Sequence, residues 1–139
     1  MKDREWRKMK AEGEWLKEKG NIDKECWKLV DAINRLPGLC TIESCCGHGT
    51  SFFMIKVSPR KVVDLVPLLY YLDECHNTFS GWWCEIYTDC AMQPPFYSIV
   101  GPKGAYEEAD QIAKLIREWL DSPEAQKRQR ERRKRRWFV

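Results

Sequence analysis

The chain has 139 residues, 43% of them hydrophobic and 12% aromatic, with 24 Lys/Arg against 21 Asp/Glu for a formal net charge of +3. That length suits one domain, and the apolar share is enough for a core, which excludes wholesale disorder. No uncharged apolar run approaches the length of a bilayer span, and the opening MKDREWRKMK is too charged for a signal peptide, which excludes a membrane protein and points to the cytoplasm.

Residues 1–20 are rich in charge and helix formers and carry Trp6, Met9, Trp15 and Leu16, an amphipathic helix in need of a partner surface. Its tryptophans hint at a homo-oligomer. Asp23 is placed to cap a second helix that runs to about Leu36, with Cys26, Trp27, Val30, Ile33 and Leu36 at helical spacing, and Pro37-Gly38 stops it. Two strand-like runs follow, residues 39–44 and 51–57, separated by Cys45-Cys46-Gly47-His48-Gly49-Thr50. Ser58-Pro59 reads as a cap and first position of a third helix, with Pro67 requiring a kink or a late restart. A second strand pair, residues 82–88 and 96–100, flanks Asp89–Pro95. A helix then carries Tyr106, Ala109, Ile112, Ala113, Ile116 and Leu120 on one face, and Ser122-Pro123-Glu124 starts another. The order α-α-ββα-ββα predicts an α+β fold: one antiparallel or mixed sheet covered by helices, with residues 21–121 as the core domain between the N-terminal helix and a basic C-terminal helical arm, residues 122–139.

Charge is divided between body and arm. Lys127 to Val139 hold eight Lys/Arg and one Glu, a net of +7, and the remaining residues sum to −4. Arg128, Arg130, Arg132, Arg133, Lys134, Arg135 and Arg136 are therefore the candidate nucleic-acid contacts, because a dense basic run releases counterions when it meets phosphates. A solvated helix end has the same composition.

The chemistry concentrates between Glu43 and Gly49. Glycines let the backbone turn tightly and approach a ligand, and the segment offers the Glu43 carboxylate, a hydroxyl, two thiols and an imidazole. Ligand capture would use Ser44, Cys45, Gly47, His48 and Gly49, joined by Asp89 and Gln93 if the two loops open at one edge. Metal binding would use Cys45 or Cys46 with His48, completed by Cys75, His76, Cys84 or Cys90, with Cys45, His48, Cys75 and Cys84 as the leading set, since zinc needs about four such ligands, although no Cys-x2-Cys knuckle is present. Seven cysteines, an odd number without an export signal, fit reduced thiols or metal ligands better than a disulfide framework. A thiolate at Cys45 or Cys46 with His48 or His76 as base is a further pairing. A tight hairpin with core cysteines would explain the glycines alone.

The run from Leu29 to His48, a helix ending near a Pro followed by a strand and Ser44-Cys45-Cys46-Gly47-His48, resembles the wybutosine-synthesis tRNA methyltransferase family over roughly residues 24–120. Ser44, Cys45 and Gly47 correspond to that family's S-C-x-G positions, and His48 stands where the family has Arg, which offers a bidentate fork that His lacks. The form S-C-C-G-H-G is also similar to small bacterial and phage proteins of unassigned activity. The resemblance implies S-adenosylmethionine as cofactor and RNA as substrate. The residues themselves favour a small nucleotide- or nucleic-acid-binding module, one form of which is a phage-type protein that sequesters a nucleotide signal. An S-adenosylmethionine-dependent RNA methyltransferase and a zinc-stabilised interaction domain are the alternatives.

Overall fold

A computed structural model describes residues 3–18, 22–78, 81–87 and 96–134, and within them the side chains other than those of residues 3, 12–18, 73–78, 87, 96, 128, 129 and 132–134. Among the described residues, five α-helices pack with a four-stranded antiparallel sheet, the α+β fold expected from the element order. In chain order these are α1 (Asp3–Glu18), α2 (Trp27–Arg35), β1 (Leu39–Cys45), β2 (Phe53–Pro59), α3 (Val66–Thr78), β3 (Trp83–Tyr87), β4 (Phe96–Gly101), α4 (Tyr106–Leu120) and α5 (Pro123–Lys134).

The sheet order is β1-β2-β4-β3, so β1 and β3 lie at opposite edges. Strand alternation sends Phe53, Ile55 and Val57 of β2 and Tyr97 and Ile99 of β4 to one face. There they join Leu29, Val30 and Ile33 of α2 and Ile112, Ala113 and Ile116 of α4 in one core. The helical spacing read from the sequence puts these side chains on the inward stripes of α2 and α4. Trp27 departs from that pattern. It is exposed, and its indole N–H donates to the Ile22 carbonyl at 2.9 Å.

α1 packs against β1, and the partner surface that its amphipathic pattern demands is supplied by this chain. Trp6 is buried and donates its indole N–H to the Ser58 carbonyl at 3.4 Å, with the Lys10 ammonium 4.9 Å above its ring. No helix among the described residues is long and apolar enough to cross a membrane.

The helix start expected at Ser58-Pro59 is absent, because both residues are taken into β2: Cys40 pairs with Ser58 and Leu39 with Pro59. The turn after β2 begins instead at Lys61, whose backbone N–H donates to the Asp64 carboxylate at 3.0 Å. A 3-10 turn, Val62–Leu65, leads into α3, which places Pro67 in the first α-helical turn, where its missing N–H costs little. That is the late restart the sequence requires. At Ser122 the expected cap is present: its hydroxyl accepts the Ala125 N–H at 3.1 Å and donates to the Trp119 carbonyl at 2.6 Å.

Candidate functional site

β1 ends at Cys45, and the backbone then enters the left-handed region at three consecutive residues: Gly47 (φ 77°), His48 (φ 52°, ψ 30°) and Gly49 (φ 77°). Glycine is required at 47 twice over, since a Cβ there would lie 2.7 Å from the Phe52 carbonyl oxygen. At Gly49 the conformation alone requires it, because a Cβ would meet no atom within 4 Å. The Gly47 carbonyl accepts the N–H groups of both Thr50 and Ser51 at 3.0 Å, which closes the turn. His48 is the one residue with a side chain that adopts positive φ among the described residues, a conformation that costs about 1–2 kcal/mol. Strain of this kind concentrates at ligand-handling turns.

The turn is tied to the segment before α2. Asp23, expected as a helix cap, makes no capping bond to that helix. Its carboxylate Oδ2 accepts the backbone N–H of Cys46 at 2.9 Å. That bond holds the Asp23 carboxyl below its ordinary range. Cys46 is 2% exposed, and its Sγ accepts the His48 backbone N–H at 3.3 Å and lies 3.6 Å from Nδ1 of the same residue. Cys45, half-buried, has its Sγ 3.9 Å from the other ring nitrogen, Nε2, and accepts the Gly47 N–H at 3.4 Å. The imidazole thus stands between two thiols, one on each nitrogen.

Beneath this turn the Cys26 and Cys46 side chains are buried. Burial pushes the Cys46 thiol up, and it pushes Cys26 up to about 12 with the Asp23 charge as a second cause. At the start of α4, desolvation first and the charge of a nearby Cys46 second raise the Tyr106 hydroxyl. In front, His48 is exposed to solvent. Phe52, 52% exposed, stacks edge-on against Trp83 at 5.6 Å between ring centroids, with the Lys103 ammonium 6.0 Å from the Phe52 ring. The half-exposed Trp83 and the buried Trp82 and Tyr97 divide outward and inward as alternation requires.

Of the residues singled out from the sequence, Ser44, Cys45, Gly47, His48 and Gly49 share this strand end and turn. Asp89 and Gln93 lie outside the described residues, as do Arg135 and Arg136. Cys75, Arg128, Arg132, Arg133 and Lys134 lie on described helices, but their side chains lie outside the described set; Arg130 is exposed. Cys84 does not join the turn. It sits on β3, three strand spacings from β1, on the order of 14 Å away, and packs half-buried against the core. The Cys45–His48–Cys75–Cys84 metal set therefore loses Cys84. Asp23, Cys26 and Tyr106 are site residues that local sequence reading misses, since each reaches the turn only through tertiary packing.

An α+β chain with a thiol- and imidazole-bearing turn at the end of its edge strand is the class that fold and site define. The match is to the family described as Methyltransferase TYW3, whose model covers residues 1–136, and the chain belongs to that family. No curated protein sequence matches the chain. Among solved structures, the PH1069 protein from Pyrococcus horikoshii aligns at 14% identity over 82% of this chain and 89% of that one, with a TM-score of 0.49. At that identity and score the likeness decides neither fold nor function.

Proposed function

We propose that the protein is an S-adenosylmethionine-dependent methyltransferase acting on RNA, with its cofactor or substrate site at the Ser44–Gly49 turn. The observation that carries this reading is the family match across residues 1–136, which includes the Ser44-Cys45-x-Gly47 motif. The same match favours methyl transfer over the nucleotide-sequestering module and lends that module no support.

The residues at the turn fit the cofactor in chemistry. The ionised Asp23 carboxylate offers a negative charge to a cationic ligand, and the space beside Gly49 is open, with no atom within 4 Å of the position a Cβ would take. Ser44, Cys45, Gly47 and Gly49 would hold the group, and His48 would line the substrate side of the turn. When bound, S-adenosylmethionine supplies an electrophilic methyl group on a positively charged sulfur. The chain's own part is positional: the left-handed turn would bring backbone close to the ligand. Phe52 and Trp83 offer aromatic surface to a base, with Lys103 beside them for phosphate. His48 in place of the family's Arg removes a bidentate anion fork and leaves an imidazole there.

The test is transfer of a labelled methyl group from S-adenosylmethionine to total tRNA, alongside calorimetric titration with S-adenosylmethionine. Binding and label transfer are expected, with His48→Ala losing turnover while keeping most cofactor affinity. Failure of the intact protein to bind S-adenosylmethionine overturns the reading. Loss of affinity for a nucleotide ligand in His48→Ala, with no turnover in the wild type, would restore the sequestering module.

A further inference from the structure

Three ligand-type atoms from two separate segments meet at the turn. Asp23 before α2, Cys45 at the end of β1 and His48 in the turn each offer one carboxylate, thiol or imidazole atom, all within 4.8 Å of one another. Asp23 and Cys45 are half-buried and His48 is exposed, so the cluster has an entry path from solvent.

The spacing is close to what a metal would impose. A tetrahedral zinc, with a Zn–S bond of about 2.3 Å and a Zn–N bond of about 2.0–2.1 Å, sets sulfur and nitrogen about 3.6 Å apart. The Cys45 Sγ to His48 Nε2 separation of 3.9 Å exceeds that by only about 0.3 Å.

Each of the three is also held by a second group. The Cys46 N–H fixes Asp23 Oδ2 at 2.9 Å, and the Gly47 N–H reaches Cys45 Sγ at 3.4 Å. The nitrogen of His48 that faces away from Cys45, Nδ1, lies 3.6 Å from Cys46 Sγ. An imidazole ligand ordinarily donates its second N–H to such an outer partner, which fixes the tautomer and the ring orientation. A hairpin turn with incidental cysteines has no need of an outer partner for every donor.

We propose that Asp23, Cys45 and His48 form a binding site for a borderline-soft divalent cation of the zinc class, with the fourth coordination position open to solvent. Thiolate and imidazole select this class, because calcium and magnesium prefer all-oxygen shells. The site differs from the Cys45–His48–Cys75–Cys84 set in its third ligand, a carboxylate more than twenty residues upstream of Cys45. A cation there bridges the end of β1 to the start of α2 in addition to the Asp23–Cys46 hydrogen bond. The cation would share Asp23, Cys45 and His48 with the turn proposed above for cofactor or substrate, and its binding requires neither S-adenosylmethionine nor RNA.

Cobalt(II) is the probe, because thiolate ligation gives it a charge-transfer band in the near ultraviolet. The full-length protein, reduced and stripped of metal by a chelator that is then removed, is titrated with cobalt chloride. One equivalent is expected to saturate the band, and zinc to displace the cobalt. Cys45→Ser abolishes the band. Asp23→Asn, which keeps an oxygen for the Cys46 N–H, weakens cobalt binding about tenfold or more. Cys84→Ser changes neither. Absence of the band in the wild type overturns the proposal, and so does a band that survives both Cys45→Ser and Asp23→Asn at unchanged affinity. If Cys45→Ser fails to fold by circular dichroism, Asp23→Asn decides alone. The titration contains neither S-adenosylmethionine nor RNA, so its failure leaves the methyltransferase reading standing, and the reverse holds too.

Discussion

Gly47 and Gly49 share the same φ of 77° yet differ in surroundings, which separates two costs that usually arrive together. An added Cβ at Gly49 meets open space, so Gly49→Ala carries only the left-handed penalty of about 1–2 kcal/mol. At Gly47 the same Cβ overlaps the Phe52 carbonyl, and Gly47→Ala is expected to cost about 1–3 kcal/mol more. Urea denaturation of the two variants measures the difference; equal losses would show that Phe52 yields without resistance. At the same scale, Phe52→Ala is expected to weaken RNA binding by about 1–3 kcal/mol while leaving S-adenosylmethionine affinity unchanged, because base stacking is lost and the backbone carbonyl remains. A filter-binding assay beside the calorimetric titration reads both.

Among the elements, α5 depends most on its first turn. It buries Ala125 but is otherwise strongly polar, so the Ser122 cap is a large part of what starts it. Ser122→Ala is expected to cost about 1 kcal/mol and to lower helicity by circular dichroism. This start was legible in the sequence, as were the strand pairs and the apolar stripes of α2 and α4, because each is written in neighbouring residues at spacing 2 or 3.6. Ser58-Pro59 misleads for the opposite reason. Its pattern is that of a helix start, yet pairing of Ser58 with Cys40 and Pro59 with Leu39 outweighs the local preference. The insertion of β4 between β2 and β3 has no local signature either. The turn itself was legible from its glycines, thiols and imidazole. Its carboxylate was not, since Asp23 has the spacing of a cap and its partner Cys46 lies 23 positions away in sequence.

For the whole molecule, charge and burial set two solution properties. Burial pushes the Cys40 thiol from 9.0 up to about 11, so the folded state holds this proton more tightly than the unfolded chain. The stability it contributes is complete below the unfolded value and is lost as pH rises from about 9 to about 11, an effect of about 2–3 kcal/mol. Cys40→Ala is expected to flatten that part of the alkaline stability curve, measured by urea midpoints across the window; an unchanged curve would assign the loss to other groups. The basic arm is expected to act on binding. Removing residues 127–139, a net of +7, is expected to reduce the salt dependence of RNA binding by about 0.7 in the log–log slope for each phosphate that the arm neutralises. An unchanged slope would confine RNA recognition to the sheet and turn.

The bond from Cys46 N–H to Asp23 closes a loop that contains α2 and β1. One amide therefore reports on the attachment of that entire unit. Its hydrogen exchange with deuterated water is set by how often the loop ends part, and a ligand that joins them should slow that exchange even where the rest of the protein is unaffected. A single slowly exchanging proton would then serve as a built-in gauge of occupancy, readable without labelling any side chain.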